Sequence, residues 1–172
     1  MTDAETPNAK RIRVLALASG GGHWVQLLRL RPSWAGFDVA YATTNPGCEH
    51  DIRNGPDSDL YPSARFYTFP DANRWQKLRL FLQLLAVARI VLRERPDIVI
   101  STGASAGYFA IRIGKHLGSR TIWVDSIANS EELSLSGRLA ARYADLWLTQ
   151  WPHLAARDGN QDAAPQYLGA VL

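Results

Sequence analysis

The chain has 172 residues, of which 47% are hydrophobic and 20% charged, with a formal net charge of +3. This size and composition fit one α/β domain and exclude disorder over most of the length, and the mild charge does not indicate nucleic-acid binding. The lone cysteine, Cys48, excludes an internal disulfide, and the four histidines are too far apart in sequence to predict a metal or a cofactor that needs one.

The amino-terminal half predicts alternating strands and helices. Residues 1–10 are polar and predict a disordered tail, and residues 11–172 predict a single domain. In chain order the half then contains a strand over residues 12–18, a helix over 24–30, a strand over 37–43, a long loop over 44–62 and a weak strand over 65–69.

The second half continues the alternation. Its predicted elements are a helix over residues 73–93, a strand over 97–101, a helix over 108–117, a strand over 121–124, a helix from Ser134 or Ser136 to about residue 143, a strand over 146–149 and a last strand near Tyr167. Alternation of this kind predicts a Rossmann-like parallel sheet with helices on both faces. Ligands of such sheets bind beyond the carboxyl ends of the strands.

A glycine-rich loop, Ser19 to His23, separates the first strand from the first helix. Glycines allow a tight turn, and amide N–H groups at a helix amino terminus bind anions such as phosphate. The loop is not a dinucleotide fingerprint, because Val25 stands where that pattern needs glycine or alanine, and no Gly-Lys-Ser/Thr of a P-loop follows. His23 is a candidate base or anion donor at neutral pH, or alternatively a capping residue.

The stretch from Gly103 to Gly107 also joins a strand to a helix and matches the Gly-x-Ser-x-Gly pattern of serine hydrolases. A triad could then be composed of Ser105, Asp125 or Asp145, and His153. The same small residues suit a second phosphate-binding turn, and the chain is short for a hydrolase fold. The hydrolase is therefore the weaker alternative.

A basic and apolar helix lies in the middle of the chain. Residues 74–95 hold six basic side chains and one acid, and residues 78–92 are apolar around most of the helix, with Arg79, Gln83, Arg89 and Arg93 on a narrow stripe. The pattern is typical of a buried helix with one wet edge, or of a helix that contacts an anionic membrane surface. The residues predicted to contact the membrane are Arg74, Lys77, Arg79, Phe81 and Leu82.

Several motifs together resemble one family. They are Gly20-Gly21-Gly22-His23, residues 71–74, residues 96–103, Asp125-Ser126, residues 133–139, Ala144-Asp145 and Gln150-Trp151-Pro152. Over about residues 12–172 the chain resembles the acceptor-side subunits of split glycosyltransferases. These include the asparagine-linked glycosylation subunit that works on dolichyl-diphosphate-N-acetylglucosamine and the bacterial PssD-type exopolysaccharide subunits. It resembles more distantly the amino-terminal half of MurG, a single-chain transferase of lipid-linked peptidoglycan precursor.

The resemblance implies the amino-terminal, acceptor-binding half of a GT-B glycosyltransferase. A separate small subunit would bind the UDP-sugar, and N-acetylglucosamine or a uronic acid would be transferred to a polyprenyl-diphosphate-linked acceptor. Because residues 1–10 are polar where eukaryotic members have a spanning helix, a bacterial protein that is peripheral on the inner face of the cell membrane is expected. The alternative is a non-catalytic subunit that recruits the partner and presents the acceptor.

Roles of individual residues follow from the resemblance by position. His23 matches a histidine proposed to orient or deprotonate the acceptor hydroxyl, and Asp125 stands where the family commonly has glutamate. The residues implied to bind the acceptor diphosphate are Ser19, Gly20, Gly21, Gly22, Thr102, Gly103, Ala104 and Ser105. Those implied to contact the partner subunit are Gln150, Trp151, Pro152, Ala170, Val171 and Leu172.

Overall fold

The structure, a computed structural model, describes residues 11–73, 75–155 and 164–171. The predicted tail at residues 1–10, and the predicted site residues Arg74 and Leu172, lie outside the described residues.

Within these described ranges, seven parallel strands form one sheet. They are β1 (Arg13–Leu17), β2 (Asp38–Thr43), β3 (Arg65–Thr68), β4 (Ile98–Ser101), β5 (Arg120–Val124), β6 (Leu146–Thr149) and β7 (Gln166–Tyr167). Their order across the sheet is β3-β2-β1-β4-β5-β6-β7. The order reverses beside β1, whose two parallel neighbours are β2 and β4. Such a switch point is where open α/β sheets bind ligands.

Helices cover both faces of this sheet. They are α1 (Gly22–Arg29), α2 (Glu49–Asn54), α3 (Lys77–Glu94), α4 (Ala104–His116) and α5 (Leu135–Ala140). On one face, α3 and α4 pack over a core that includes Leu15 and Leu17. On the other, Trp24 and Ile52 pack with Val14 and Ala16. Alternate residues of β1 therefore enter opposite cores, which confirms the predicted Rossmann-like sheet with helices on both faces.

Local signals fix the ends of several elements. Pro96 follows α3, and the helix ends at Arg95, whose φ is +44°. Gly118, with φ +85°, ends α4. Ser134 is the amino-terminal cap of α5, because its side chain accepts a hydrogen bond from the Gly137 N–H.

Three predicted elements differ from the structure. The long loop over residues 44–62 contains α2, a short helix that buries Ile52 between polar neighbours and so gives a weak apolar signal. α4 begins at Ala104, four residues earlier than predicted, because its first turn consists of small residues that pack closely on the sheet. A Cβ added to Gly107 would lie 2.1 Å from the Ser101 hydroxyl oxygen. α3 begins at Lys77, four residues later than predicted.

Candidate functional site

Two glycine-containing turns meet at the carboxyl edge of the sheet, after β1 and β4. His23 Nδ1 lies 2.9 Å from the carbonyl oxygen of Thr102, and the Thr102 hydroxyl donates a hydrogen bond to the His23 carbonyl oxygen at 2.7 Å. Because a carbonyl oxygen only accepts, Nδ1 carries the proton of this bond. In the neutral ring Nε2 then holds the lone pair, which gives His23 the chemistry of a base.

Gly103 makes room for this histidine. Its φ is +145°, and a Cβ added there would lie 2.4 Å from the His23 ring. The next residue, Ala104, has φ +65° and begins α4. Only glycine fits the close approach at position 103, so the second turn is shaped to hold the imidazole as well as to begin a helix.

The first turn is anchored from its neighbouring strand. The Gly20 N–H donates to the Thr44 hydroxyl at 2.9 Å, just after the end of β2. Gly21 has φ +74°, and both Gly21 and Gly22 are exposed at the start of α1. The turn from Ser19 to Gly22 thus presents backbone amides at the switch point, as a phosphate-binding loop requires.

Ser105 is held by a buried amide. Its hydroxyl donates to Gln83 Oε1 at 2.7 Å, and Gln83 Nε2 donates to the Pro70 carbonyl oxygen at 2.9 Å. Gln83 is only 2% exposed, so its predicted place on the wet stripe of α3 is wrong. The stripe faces solvent at Arg79, Arg89 and Arg93, whereas Gln83 points inward to fix the second turn.

The side chains of the hydrolase alternative have other partners. The Ser105 hydroxyl donates to Gln83 and not to a histidine, and His153 Nε2 lies 2.7 Å from the Ser130 carbonyl oxygen. Asp145 pairs with Lys115 and accepts from the Thr121 N–H. The structure therefore does not bring Ser105 and His153 together as members of a Ser-His-Asp triad.

Asp125 is a buried carboxylate at the end of β5, with 1% exposure. It accepts hydrogen bonds from the Ser134 hydroxyl at 2.7 Å, the Ser134 N–H at 3.0 Å and Asn129 Nδ2 at 3.1 Å. A Cβ added to Gly137 would lie 3.2 Å from its carboxyl carbon. Asp125 thus organises residues 126–134, which we call the cleft loop.

The turns and the cleft loop border an open cleft with a volume of about 300 Å³. Its lining combines His23 with neutral polar and small side chains: Ala72, Asn73, Ala104, Ser105, Asn129, Ser134, Leu135 and Ser136. Asn73, Ser134 and Ser136 lie in motifs that the sequence singled out, but no sequence pattern predicts that they line one cleft. Hydroxyl and amide groups of this kind suit a sugar and its phosphates.

The predicted partner residues lie in two places. Gln150 is 3% exposed and bonds within the chain, whereas Pro152 and Ala170 are exposed. Trp151 is half-buried, and its indole donates to the Ile127 carbonyl oxygen at 2.8 Å. The Val171 N–H donates to Gln150 Oε1 at 2.8 Å. A partner could therefore touch the exposed residues directly, but Gln150 only through them.

The predicted membrane residues lie on the outer side of α3. Lys77, Arg79, Phe81 and Leu82 are all exposed, and the exposed side chains of Leu78 and Leu85 extend the apolar surface. No helix among the described ranges is both long enough and apolar enough to cross a membrane.

The sequence of residues 76–170, more than half of the chain, matches a family described as "Oligosaccharide biosynthesis protein Alg14 like". A UDP-N-acetylglucosamine transferase subunit ALG14 from Eremothecium gossypii is 29% identical over 167 residues, which cover 84% of this chain and 75% of that protein. The subunit of the same name from Mus musculus is 28% identical, and the match covers 94% of this chain and 83% of that protein.

Solved structures share the fold. MurG of Acinetobacter baumannii superposes with a TM-score of 0.65 at 13% identity, over 92% of this chain and 45% of that chain. UDP-N-acetylglucosamine 2-epimerase of Rickettsia bellii gives 0.58 at 12% identity, over 83% and 40%. The chain thus spans less than half the length of these structures, and its fold is the Rossmann-like amino-terminal half of a GT-B enzyme such as MurG. By the match of its sequence, this chain belongs to the Alg14-like family of oligosaccharide biosynthesis proteins.

Proposed function

We propose that this chain is the acceptor-binding subunit of a two-component glycosyltransferase. Residues 11–172 would act as a single domain that holds a polyprenyl-diphosphate-linked acceptor, while a small partner subunit binds a UDP-sugar. The observation that carries the proposal is the contact of His23 with the Thr102–Gly103 turn at the edge of an open cleft. The names of the relatives, which are UDP-N-acetylglucosamine transferase subunits, support it.

The acceptor diphosphate would lie between the two turns. Ser19, Gly21 and Gly22 would offer amides from the first turn, which Gly20 shapes through its bond to Thr44. Ala104 and Ser105 would offer theirs from the start of α4, beside Thr102 and Gly103. α4 has 13 residues, and its dipole favours an anion at this end. The neutral lining leaves the phosphate charge to be met by these amides and by the helix dipole.

His23 would act as the base of an inverting transfer. Its Nε2 would take the proton of the acceptor hydroxyl as the hydroxyl oxygen forms a bond to the anomeric carbon of the donor sugar. The bond from that carbon to the diphosphate of UDP breaks in the same step, and UDP leaves. Stabilisation of the leaving diphosphate would come mainly from the partner subunit.

Asp125 is better suited to organising the cleft loop than to accepting a proton. Both of its oxygens already accept hydrogen bonds, and the side chain is buried. This observation favours the second candidate function, in which the chain recruits the partner and presents the acceptor without a catalytic group. The two functions then differ in the role of His23 alone.

The proposal includes a contact between this chain and the cytosolic face of the membrane. The apolar side of α3, flanked by Lys77 and Arg79, would rest on the inner leaflet, with Arg74 nearby in sequence. The acceptor lipid would then reach the cleft from the bilayer surface. The donor sugar would be N-acetylglucosamine, as in the names of the relatives, or a uronic acid if the chain belongs to the PssD-type branch.

Reconstitution tests the proposal. Affinity-tagged chain would be purified alone and with the small glycosyltransferase subunits encoded in its source genome, then assayed with labelled UDP-N-acetylglucosamine and UDP-glucuronate on a prenyl-diphosphate-linked sugar. We expect negligible transfer by the chain alone and transfer by one of the pairs. Full transfer by the purified chain alone would contradict the division into two subunits.

The His23→Ala variant of the active pair separates the two candidate functions. Loss of a general base lowers kcat by about 10²–10⁴-fold. A near-normal kcat with a raised acceptor KM would instead support the presenting role. His50→Ala is the matched control, because His50 is exposed on α2 and does not line the cleft.

A further inference from the structure

Two buried amide side chains, Gln26 and Gln150, lie behind the cleft. They are 6% and 3% exposed. Gln150 Nε2 donates to Gln26 Oε1 at 2.7 Å and to the Asp125 carbonyl oxygen at 2.9 Å. Gln150 Oε1 accepts from the Val171 N–H at 2.8 Å. One side chain therefore joins α1, the end of β5 and residues 168–171, which we call the carboxyl-terminal segment.

Gln26 carries the connection into the cleft loop. Its Nε2 donates to the Ser126 hydroxyl at 3.1 Å, and its Oε1 accepts from the Ile127 N–H at 3.1 Å. Both contacts fall on the first residues of the loop, which then supplies Asn129 and Ser134 to the cleft. Gln26 also lies three residues after His23 on α1, so the same side chain is tied to the helix that carries the candidate base.

The segment after β6 contacts the cleft loop at further points. The Trp151 indole donates to the Ile127 carbonyl oxygen at 2.8 Å, and His153 Nε2 lies 2.7 Å from the Ser130 carbonyl oxygen. The cleft loop is thus held by hydrogen bonds to Trp151 and His153 as well as by those to Asp125. The position of the cleft loop therefore depends on the position of residues 150–153.

The bonds of the two amides depend on one another. Gln26 Oε1 accepts from Ile127 and from Gln150, and Gln150 directs both amide hydrogens and its oxygen to protein groups. Water does not readily replace a partner lost at this depth, so a change at Val171 forces the amides to rearrange. The carboxyl-terminal segment itself is largely exposed, with Leu168 at 72%. It is open to contact by another chain.

We infer that Gln150 is a positioning residue that couples the position of the carboxyl-terminal segment to the position of the cleft loop. When Val171 is bonded to Gln150, the loop is held in the arrangement that binds the ligand. A partner that clamps the segment then raises the affinity of the cleft for a diphosphate. The diphosphate rests on the proposed function, whereas the coupling between segment and loop does not.

A double-mutant cycle tests this coupling in the full chain. Val171→Pro removes the N–H that donates to Gln150 Oε1, together with the valine side chain, and Gln150→Met removes the amide at similar volume. With farnesyl diphosphate as the probe, we expect each single change to weaken binding about fivefold, the lower end of usual couplings between sites. The double variant should bind no more weakly than either single one. Losses that multiply would overturn the inference, because independent structural damage is additive in free energy.

Amide hydrogen exchange of residues 126–134 gives a readout that needs no ligand. Val171→Pro should accelerate this exchange in the otherwise unchanged chain and cause no further acceleration in the Gln150→Met background. Equal acceleration in both backgrounds would overturn the inference. If the unchanged chain does not bind farnesyl diphosphate, the proposed ligand class fails, and the exchange cycle still decides the coupling.

Two more variants protect the test. Gln150→Glu keeps the oxygen that accepts from Val171 but loses the donors to Gln26 and Asp125. It should therefore weaken probe binding and accelerate loop exchange as Gln150→Met does. It replaces Gln150→Met in the test if Gln150→Met folds poorly. Gln166→Met makes the same chemical change in β7 and should leave loop exchange and probe affinity unchanged. An equal effect of Gln166→Met would contradict a specific role of Gln150.

Discussion

At the scale of single residues, the candidate site depends on the contact between His23 and Gly103. Sequence alone identified both positions, because each lies in a strand-to-helix turn with glycine. It could not show that the ring of one fills the space above the other, since they are 80 residues apart. That distance is closed by the parallel pairing of β1 with β4.

Gly103→Ala should both destabilise the protein and displace His23. The backbone there has φ +145°, and the added methyl group would lie 2.4 Å from the imidazole. We expect the free energy of unfolding to fall by about 1–3 kcal/mol from the strained backbone alone, measured by urea denaturation. Gly22→Ala is the control: nothing lies within 4 Å of its added Cβ, and alanine favours the helix. If both variants lost equal stability, neither the strained backbone at Gly103 nor its contact with His23 would be the cause.

Asp145 gives a pH-dependent prediction. Burial raises its pKa, but hydrogen bonds from Lys115 and from Thr121 lower it by more, so the pKa lies below its usual value. A carboxylate with a lowered pKa stabilises the fold above its unfolded pKa, near 4, and this contribution is lost as the pH falls through the folded value. Urea denaturation between neutral pH and about pH 3 should therefore show a smaller acid-induced loss for Asp145→Asn than for the unchanged chain. An identical pH dependence would contradict this assignment.

At the scale of elements, α3 shows how far a helical pattern can be interpreted. The sequence predicted its basic and apolar composition and its end before Pro96. It misplaced Gln83, because an inward amide and an outward one have the same pattern when the flanking residues are apolar. The bonds of Gln83 to Ser105 and Pro70 are visible only in three dimensions.

The sequence did not predict α2. One buried isoleucine among polar residues gives too weak a periodicity to indicate a helix.

The outer side of α3 should bind anionic vesicles. Phe81→Asp places a charge in the apolar surface and should reduce binding to vesicles that contain phosphatidylglycerol, measured by co-sedimentation. Leu92→Asp is a matched control, because both side chains are 54% exposed and Leu92 lies about 16 Å further along the helix. Binding should also weaken as salt increases, through screening of the basic flank. Equal losses for the two variants would show that no local surface is used.

At the scale of the whole molecule, the two cores on either face of the sheet predict one cooperative unit. Each core uses alternate residues of the same central strands, so neither can unfold while the other stays intact. Thermal unfolding followed by far-UV and near-UV circular dichroism should give coincident single transitions. Two separated transitions would contradict the single domain predicted over residues 11–172.

The sequence predicted this architecture because the alternation of strands and helices is a regular signal. It did not predict the cleft lining, because that lining requires contacts between distant segments.

The turn at Gly103 and Ala104 has a kinetic consequence. Contacts within the chain hold its two unusual φ angles, because the His23 ring packs against Gly103 and the backbone of Ala104 begins α4. The bend is therefore formed during folding. A binding site that is already formed loses little conformational entropy when a ligand binds. Diffusional encounter then limits the rate of association. Observed rates in stopped-flow mixing should accordingly rise in proportion to the concentration of a diphosphate, without the plateau that a slow rearrangement would impose.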